Sequence, residues 1–285
     1  MAEILKGAPA AASITEDLIA RAEALKAGGM VPCLAILRVG ERADDLAYER
    51  GALKRCEKVG IAVRQFILPA DTDQDALMRA IGDINGDPAI HGCLMFRPLP
   101  KHLDEKAACA ALAPAKDVDG ISVGSMARVF SGMGFGFAPC TAQSCLEILR
   151  HYGVDPAGKR AAVIGRSLVI GRPVAMLLMS ANATVTVCHT KTRNMPEIIR
   201  EADIVVVAAG KAEAIGAEYF RAGQTVLDVG INWSEAKQKL VGDVDFEVVE
   251  PIVAAISPVP AGVGAVTTAV LCKHVIEAAE IQKTE

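Results

Sequence analysis

At 285 residues and 52% hydrophobic composition, the chain has apolar residues enough for one or two packed domains and too many for a disordered one. Its formal net charge of −4 lacks the basic excess that nucleic acid or an anionic membrane would require of a partner. No apolar run reaches the roughly 20 residues that span a bilayer, and the N-terminus lacks a secretory pattern, so a cytoplasmic location is expected.

In chain order, Ser13 to Lys26 predicts a capped amphipathic helix stopped by Gly28 and Gly29. Cys33 to Val39 reads as a buried strand ending at Gly40, and a helix through Tyr48, Leu53 and Cys56 stops at Gly60. Ala62 to Leu68 is the next strand, Asp75 to Asn85 the next helix, and His91 to Phe96 a third strand broken by Pro98 and Pro100. This alternation implies a parallel sheet with right-handed crossovers. The glycine-rich stretch Gly124 to Gly136 reads as a loop, and a domain seam is expected near 125–140. After a helix from Thr141 to Tyr152, a second series follows: strands Ala161 to Ile164 and Thr184 to Cys188, helix Met195 to Ala202, then strands Ile204 to Ala208 and Thr225 to Val229. Ala254 to Ser257 is short and apolar, and Val266 to Ala279 is the final helix. The eight cysteines lack C-x-x-C spacing and read as buried free thiols, so neither disulfides nor a metal site is expected.

Residues 161–173 organise the second series. A buried strand ends at Gly165, and apolar residues resume with helical spacing at Val174, Leu177 and Leu178. Strand, tight glycine turn, then helix aims free backbone N–H groups at a phosphate. Gly165 permits the turn and Gly171 close packing of helix on strand, although the spacing departs from G-x-G-x-x-G. Arg166 stands beside the turn, where a cation can meet a phosphate.

Several stretches together resemble the methylenetetrahydrofolate dehydrogenase/cyclohydrolase family over almost the whole chain. They are Pro98 to His102, Lys116 to Gly120, Pro139 to Thr141, Gly165 to Ser167 with Gly171 to Pro173, and Ala183 to His189. Asp228 to Asn232, Gly242 to Val244, and Pro258 to Pro260 with Gly262 to Gly264 complete the set. The resemblance implies two α/β domains with a folate cleft between them: residues 1–138 plus 265–285 as the catalytic, folate-binding domain and 139–264 as a Rossmann-like NADP-binding domain. It also implies a homodimer. Such enzymes oxidise 5,10-methylenetetrahydrofolate by hydride transfer to a nicotinamide, and most then hydrolyse the methenyl product to 10-formyltetrahydrofolate.

The family's hydrolytic pair is a lysine four residues after a tyrosine and a glutamine before Leu-Pro-Leu-Pro. With Tyr48, Cys56 and Val59-Gly60 fixing the register, the lysine position holds Ala52 and the glutamine position Phe96, followed by Arg97. Lys54 lies roughly 200° around the helix from Ala52 and is expected to be solvated. Hydride transfer needs no side-chain proton transfer, whereas opening the tetrahedral carbinol is general acid–base work. Oxidation is therefore expected to persist and hydrolysis to be lost. Two alternatives stay open: a bifunctional enzyme using Arg97, Lys54 or water, and a silent folate- or nucleotide-binding regulatory subunit.

By resemblance, Asp119 binds the pterin's N–H donors, Tyr48 stacks on the folate, and Pro258, Val259, Pro260, Ala261 and Gly262 line the substrate site with Ala52, Phe96 and Arg97. Departures gather here: Asp45 stands for a family serine, Ala261 for a glycine, and Ile121-Ser122-Val123 replaces the usual continuation of the Asp119-Gly120 motif. Gly165, Arg166, Ser167, Gly171, Thr190, Lys191, Gly210, Ile231 and Thr267 are the expected cofactor contacts. The second Rossmann strand ends in Cys188-His189-Thr190-Lys191 with no acidic residue for a ribose 2′-hydroxyl, which favours NADP over NAD. His189 is expected to pack near the adenine.

Overall fold

The computed structural model describes residues 1–284. The chain opens with β1 (Glu3–Ile4) and α1 (Gly7–Ala27), then runs β2 (Cys33–Val39), α2 (Ala43–Val59), β3 (Ala62–Leu68), α3 (Gln74–Gly86), β4 (Gly92–Met95), α4 (Glu105–Ala111) and α5 (Val123–Ser131). After α6 (Cys140–His151) come β5 (Arg160–Ile164), α7 (Gly171–Ser180), β6 (Thr184–Cys188), α8 (Met195–Arg200), β7 (Ile204–Val207) and β8 (Thr225–Asp228). A hairpin of β9 (Asn232–Ser234) and β10 (Lys239–Val241), α9 (Phe246–Val249), β11 (Ala255–Ile256) and α10 (Thr267–Thr284) complete it. Two compact units result, one of Ser13–Cys140 with the chain from Thr268 onward, the other of Met1–Ala12 with Thr141–Thr267.

The first unit holds a three-stranded parallel sheet in the order β3-β2-β4. All seven residues of the central β2 are buried, as its run of apolar residues demands. Arg38 is the exception in that run. Its Nε donates to Glu49 Oε2 at 3.0 Å, both side chains being 5% exposed, and Gln65 Nε2 donates to the other carboxylate oxygen at 2.6 Å. Removing one partner of such a pair strands a buried charge, at a cost of about 3–5 kcal/mol. Leu37, Leu77, Ile81, Ile84, Met95 and Leu112 form the centre of this unit's core.

Two expectations change here. The Gly124–Gly136 loop contains α5: Ser122 Oγ accepts the Ser125 N–H at 3.1 Å, and Gly132, at φ 71°, ends the helix. Glycine there acts as a stop, not as evidence of a loop. The first helix starts at Gly7, since the run Gly7 to Ala12 is mostly alanine and tolerates Pro9 in its first turn.

The second unit is a doubly wound, all-parallel sheet in the order β1-β11-β8-β7-β5-β6. Valines and isoleucines of β5, β7 and β8 fill its centre, with no polar side chain among the four residues of β7. Residues 1–12 group with this unit because β1 pairs with β11, Glu3 opposite Ala255 and Ile4 opposite Ile256. That corrects the expected boundary at the N-terminus; a two-residue strand has no periodicity to read. Chain order reverses between β6 and β7 on either side of β5, so the switch point lies at the carboxyl ends of β5 and β7.

Candidate functional site

At the switch point, β5 runs into Gly165 at φ 117°. A Cβ there would collide with the Ala208 carbonyl at the end of β7, and one on Gly171 would collide with the Gly165 carbonyl. Both glycines thus serve the close approach expected of them. Ser167 Oγ accepts the N–H groups of Ile170 (3.1 Å) and Gly171 (3.4 Å), closing the first turn of α7. Arg166, Ser167, Leu168 and Val169 are exposed around this helix N-terminus. Such an end favours anions, and a guanidinium beside it adds to the attraction.

At the end of β6, the turn is closed by its own side chains. The His189 N–H donates to Thr192 Oγ1 at 2.9 Å, and the Lys191 N–H donates to His189 Nδ1 at 3.1 Å. His189 Nδ1 is therefore an acceptor, and the ring proton sits on Nε2. Thr190 and Lys191 remain exposed, and Arg193 stands just beyond them. Gly210 is exposed at the end of β7, at φ 69°, and Ile231 is exposed after β8. Thr267 differs: it is buried and its hydroxyl donates to the Gly264 carbonyl at 3.1 Å, so it holds the start of α10 instead of offering a free hydroxyl. Pro258 and Val259 are partly buried, Pro260 and Ala261 are exposed, and Gly262 is packed against the Pro258 carbonyl.

In the first unit the motif Lys116 to Gly120 divides by task. Lys116 Nζ donates to the carbonyls of Ile84 (2.7 Å) and Asp87 (2.6 Å), tying down the end of α3. The Asp117 carboxylate accepts the N–H groups of Ile121 (3.0 Å) and Ser122 (2.7 Å). The Asp119 carboxylate takes a side-chain donor instead, the thiol of Cys140. Burial pushes the Asp119 pKa up to about 6, against that hydrogen bond and the positive charge of Arg97. Cys140 Sγ also approaches the Val118 carbonyl at 3.4 Å and His274 Nδ1 at 3.9 Å. His274 Nδ1 donates to that same carbonyl at 2.9 Å, and burial raises the thiol well above its ordinary range. Cys140 is therefore a hydrogen-bond donor and no nucleophile.

Tyr48 and Phe96 meet edge to face. Ala52 is fully buried on the inner face of α2 with Glu49 and Cys56, and Lys54 is exposed on the outer one. Ala52 thus has no surface of its own to touch a ligand, contrary to its expected place in the lining: a methyl group does not reach out of the helix interface. Arg97 lies 3.9 Å from Glu105, whose other oxygen accepts the Leu99 N–H at 2.8 Å. Sequence reasoning passed over Asp228, Asp243 and Asn232 as side chains; they sit inside matched motifs, but their hydrogen bonds join distant loops.

Among the described residues, no helix is long and apolar enough to cross a membrane, and all eight cysteines are free, seven of them buried. A doubly wound unit with a glycine turn at its switch point, carried in one chain with a second parallel α/β unit, defines a dinucleotide-binding α/β protein. Residues 5–119 match the catalytic domain of tetrahydrofolate dehydrogenase/cyclohydrolase, and residues 139–283 match the NAD(P)-binding domain of the same family. The chain is 51% identical over 282 residues to the bifunctional protein FolD of Carboxydothermus hydrogenoformans, covering 99% of this chain and 98% of that one. The crystal structure of FolD from Campylobacter jejuni superposes with a TM-score of 0.94 at 36% identity, covering 99% of both chains. The Trypanosoma brucei enzyme, solved with NADP and an inhibitor, gives 0.90 at 34% identity and covers 100% of this chain and 99% of that one. The chain belongs to the tetrahydrofolate dehydrogenase/cyclohydrolase family.

Proposed function

We propose that this protein oxidises 5,10-methylenetetrahydrofolate to the methenyl form using NADP, and that it does not hydrolyse the product. The observation that carries this reading is a contrast within one chain. The glycine turn at Gly165 and the buried Asp119 carboxyl are present, while Ala52 and Phe96 stand where the resemblance expects proton-handling side chains. NADP, when bound, supplies the hydride acceptor. The Gly165 turn and the N-terminus of α7 hold phosphate, with Arg166 as counter-charge. Arg166 and Ser167 at the end of β5, with Thr190 and Lys191 at the end of β6, suit a 2′-phosphate, there being no carboxylate at the end of β6 to repel it.

Asp119, ionised, accepts two N–H groups of the pterin and so fixes the folate's orientation. Tyr48 offers a face to the ring system. Activating water and moving its proton requires a group that exchanges protons near working pH. Arg97 is drawn to Glu105 and a guanidinium makes a poor base, and Phe96 has no proton to give. The relatives' name favours a bifunctional enzyme; the residues at 52 and 96 weigh against that for this chain. A cytoplasmic homodimer completes the reading. The test follows reduced nicotinamide and methenyl absorbance together: oxidation with no enzyme-dependent methenyl decay supports it, and decay keeping pace with oxidation refutes it.

A further inference from the structure

Two buried aspartates outside the proposed chemistry lie in series at the carboxyl end of the six-stranded sheet. Asp228 closes β8 at 3% exposure. Its Oδ1 accepts the N–H groups of Gly230 (3.1 Å) and Asp243 (3.1 Å), and its Oδ2 accepts that of Val244 (2.9 Å). Asp243, with no exposed surface, sends its own carboxylate the other way. Oδ2 accepts the Gly210 N–H at 2.9 Å; Oδ1 accepts the Lys211 N–H and the Asn232 side-chain amide, each at 2.9 Å. A Cβ on Gly242 would collide with the Asp228 carboxylate, and one on Gly230 with that of Asp243. Each carboxylate therefore lies flat on a glycine and bonds backbone from another loop.

We propose that Asp243 is a positioning residue for dinucleotide binding. Its carboxylate holds the loop after β7, with Gly210, and the turn from β8 through Ile231 to Asn232 at the start of β9 in the arrangement that receives the cofactor, and Asp228 holds Asp243 in turn. The inference rests on the reading of this unit as the NADP site. The chemistry demands a carboxylate, because three donors converge on two oxygens. An amide has one acceptor oxygen and would set its NH2 against the N–H of Gly210 or of Lys211.

The test titrates NADP by calorimetry, without folate, into wild type, Asp243→Asn and Asn232→Ala, and then measures steady-state kinetics on each. Circular dichroism checks folding. Asp243→Asn is expected to weaken NADP binding about tenfold or more and Asn232→Ala about threefold, with kcat at saturating NADP and the folate KM close to wild type. A merely structural role would lower the melting temperature and the active fraction without moving the NADP Kd. Unchanged NADP affinity in both variants overturns the proposal, as does a fall in kcat at unchanged NADP KM. Should Asp243→Asn not fold, Asn232→Ala decides alone, since it leaves both backbone bonds in place. Wild type that fails to bind NADP overturns the cofactor reading and this inference together; variants that match a binding wild type overturn only the inference.

Discussion

The ring of Phe96 stands edge-on to that of Tyr48, with centroids 6.0 Å apart and planes at 82°. Phe96 follows β4 and Tyr48 lies on α2, so this contact joins the two segments on which the resemblance expects hydrolytic side chains. On the proposed reading, the apolar Phe96 ring beside Tyr48 disfavours the entry of water that hydrolysis needs. Restoring the pair with Ala52→Lys and Phe96→Gln is expected to raise methenyl hydrolysis by about 10²-fold or more, the usual size of general acid–base help. Continuous methenyl absorbance measures it. No gain in a folded double variant would count against the assignment of the missing proton-handling groups to positions 52 and 96.

Arg166 is exposed beside the turn of Gly165, and its guanidinium is available to a phosphate. Arg166→Ala is expected to raise the KM for NADP about tenfold, as loss of one charge-assisted bond of roughly 1.5–3 kcal/mol implies, with a smaller effect on NAD. Parallel initial-rate measurements with both nucleotides give the ratio. Equal sensitivity of NADP and NAD would place Arg166 away from the 2′-phosphate.

Asp119 gives the enzyme a pH signature. Burial raises its pKa to about 6, so the carboxylate is ionised above that value and protonated below it. Only the ionised form accepts two pterin N–H bonds. The kcat/KM for the folate is therefore expected to fall about tenfold per pH unit below about 6, while NADP affinity holds. Asp119→Asn is expected to lose about 2–3 kcal/mol of transition-state binding and this pH dependence with it. A pH profile identical in wild type and variant would assign the titration to another group.

Ala261 keeps a left-handed φ of 78° although it carries a Cβ, and its carbonyl accepts the Gly7 N–H at 2.8 Å. That conformation costs an L-residue roughly 1–2 kcal/mol, partly offset by the greater unfolded-chain entropy of glycine. Ala261→Gly is expected to stabilise the protein by about 0.5–1 kcal/mol, seen as a higher midpoint in urea unfolding at unchanged slope. A lower midpoint would mean that the Ala261 methyl group makes contacts worth more than the strain.

Features governed by neighbours in the chain were legible without coordinates. Gly165 and Gly171 could be picked out because a strand that turns straight into a helix needs a residue without Cβ at both places. The position of Ala52 followed from helical spacing between Tyr48 and Cys56, and β2 from a run of seven residues apolar but for Arg38. What lay beyond reach depends on which distant backbone groups meet. The pairing of β1 with β11 spans 252 residues between Glu3 and Ala255. Lys116 and Asp117 stand beside Asp119 in one motif, yet only the fold turns the first two onto backbone partners. The Asp228–Asp243 relay joins the ends of β7, β8 and β10, and a carboxylate in a sequence carries no mark of the N–H groups it will accept. Local steric demands are written residue by residue; hydrogen-bond partners across a sheet exist only once the strands are placed side by side.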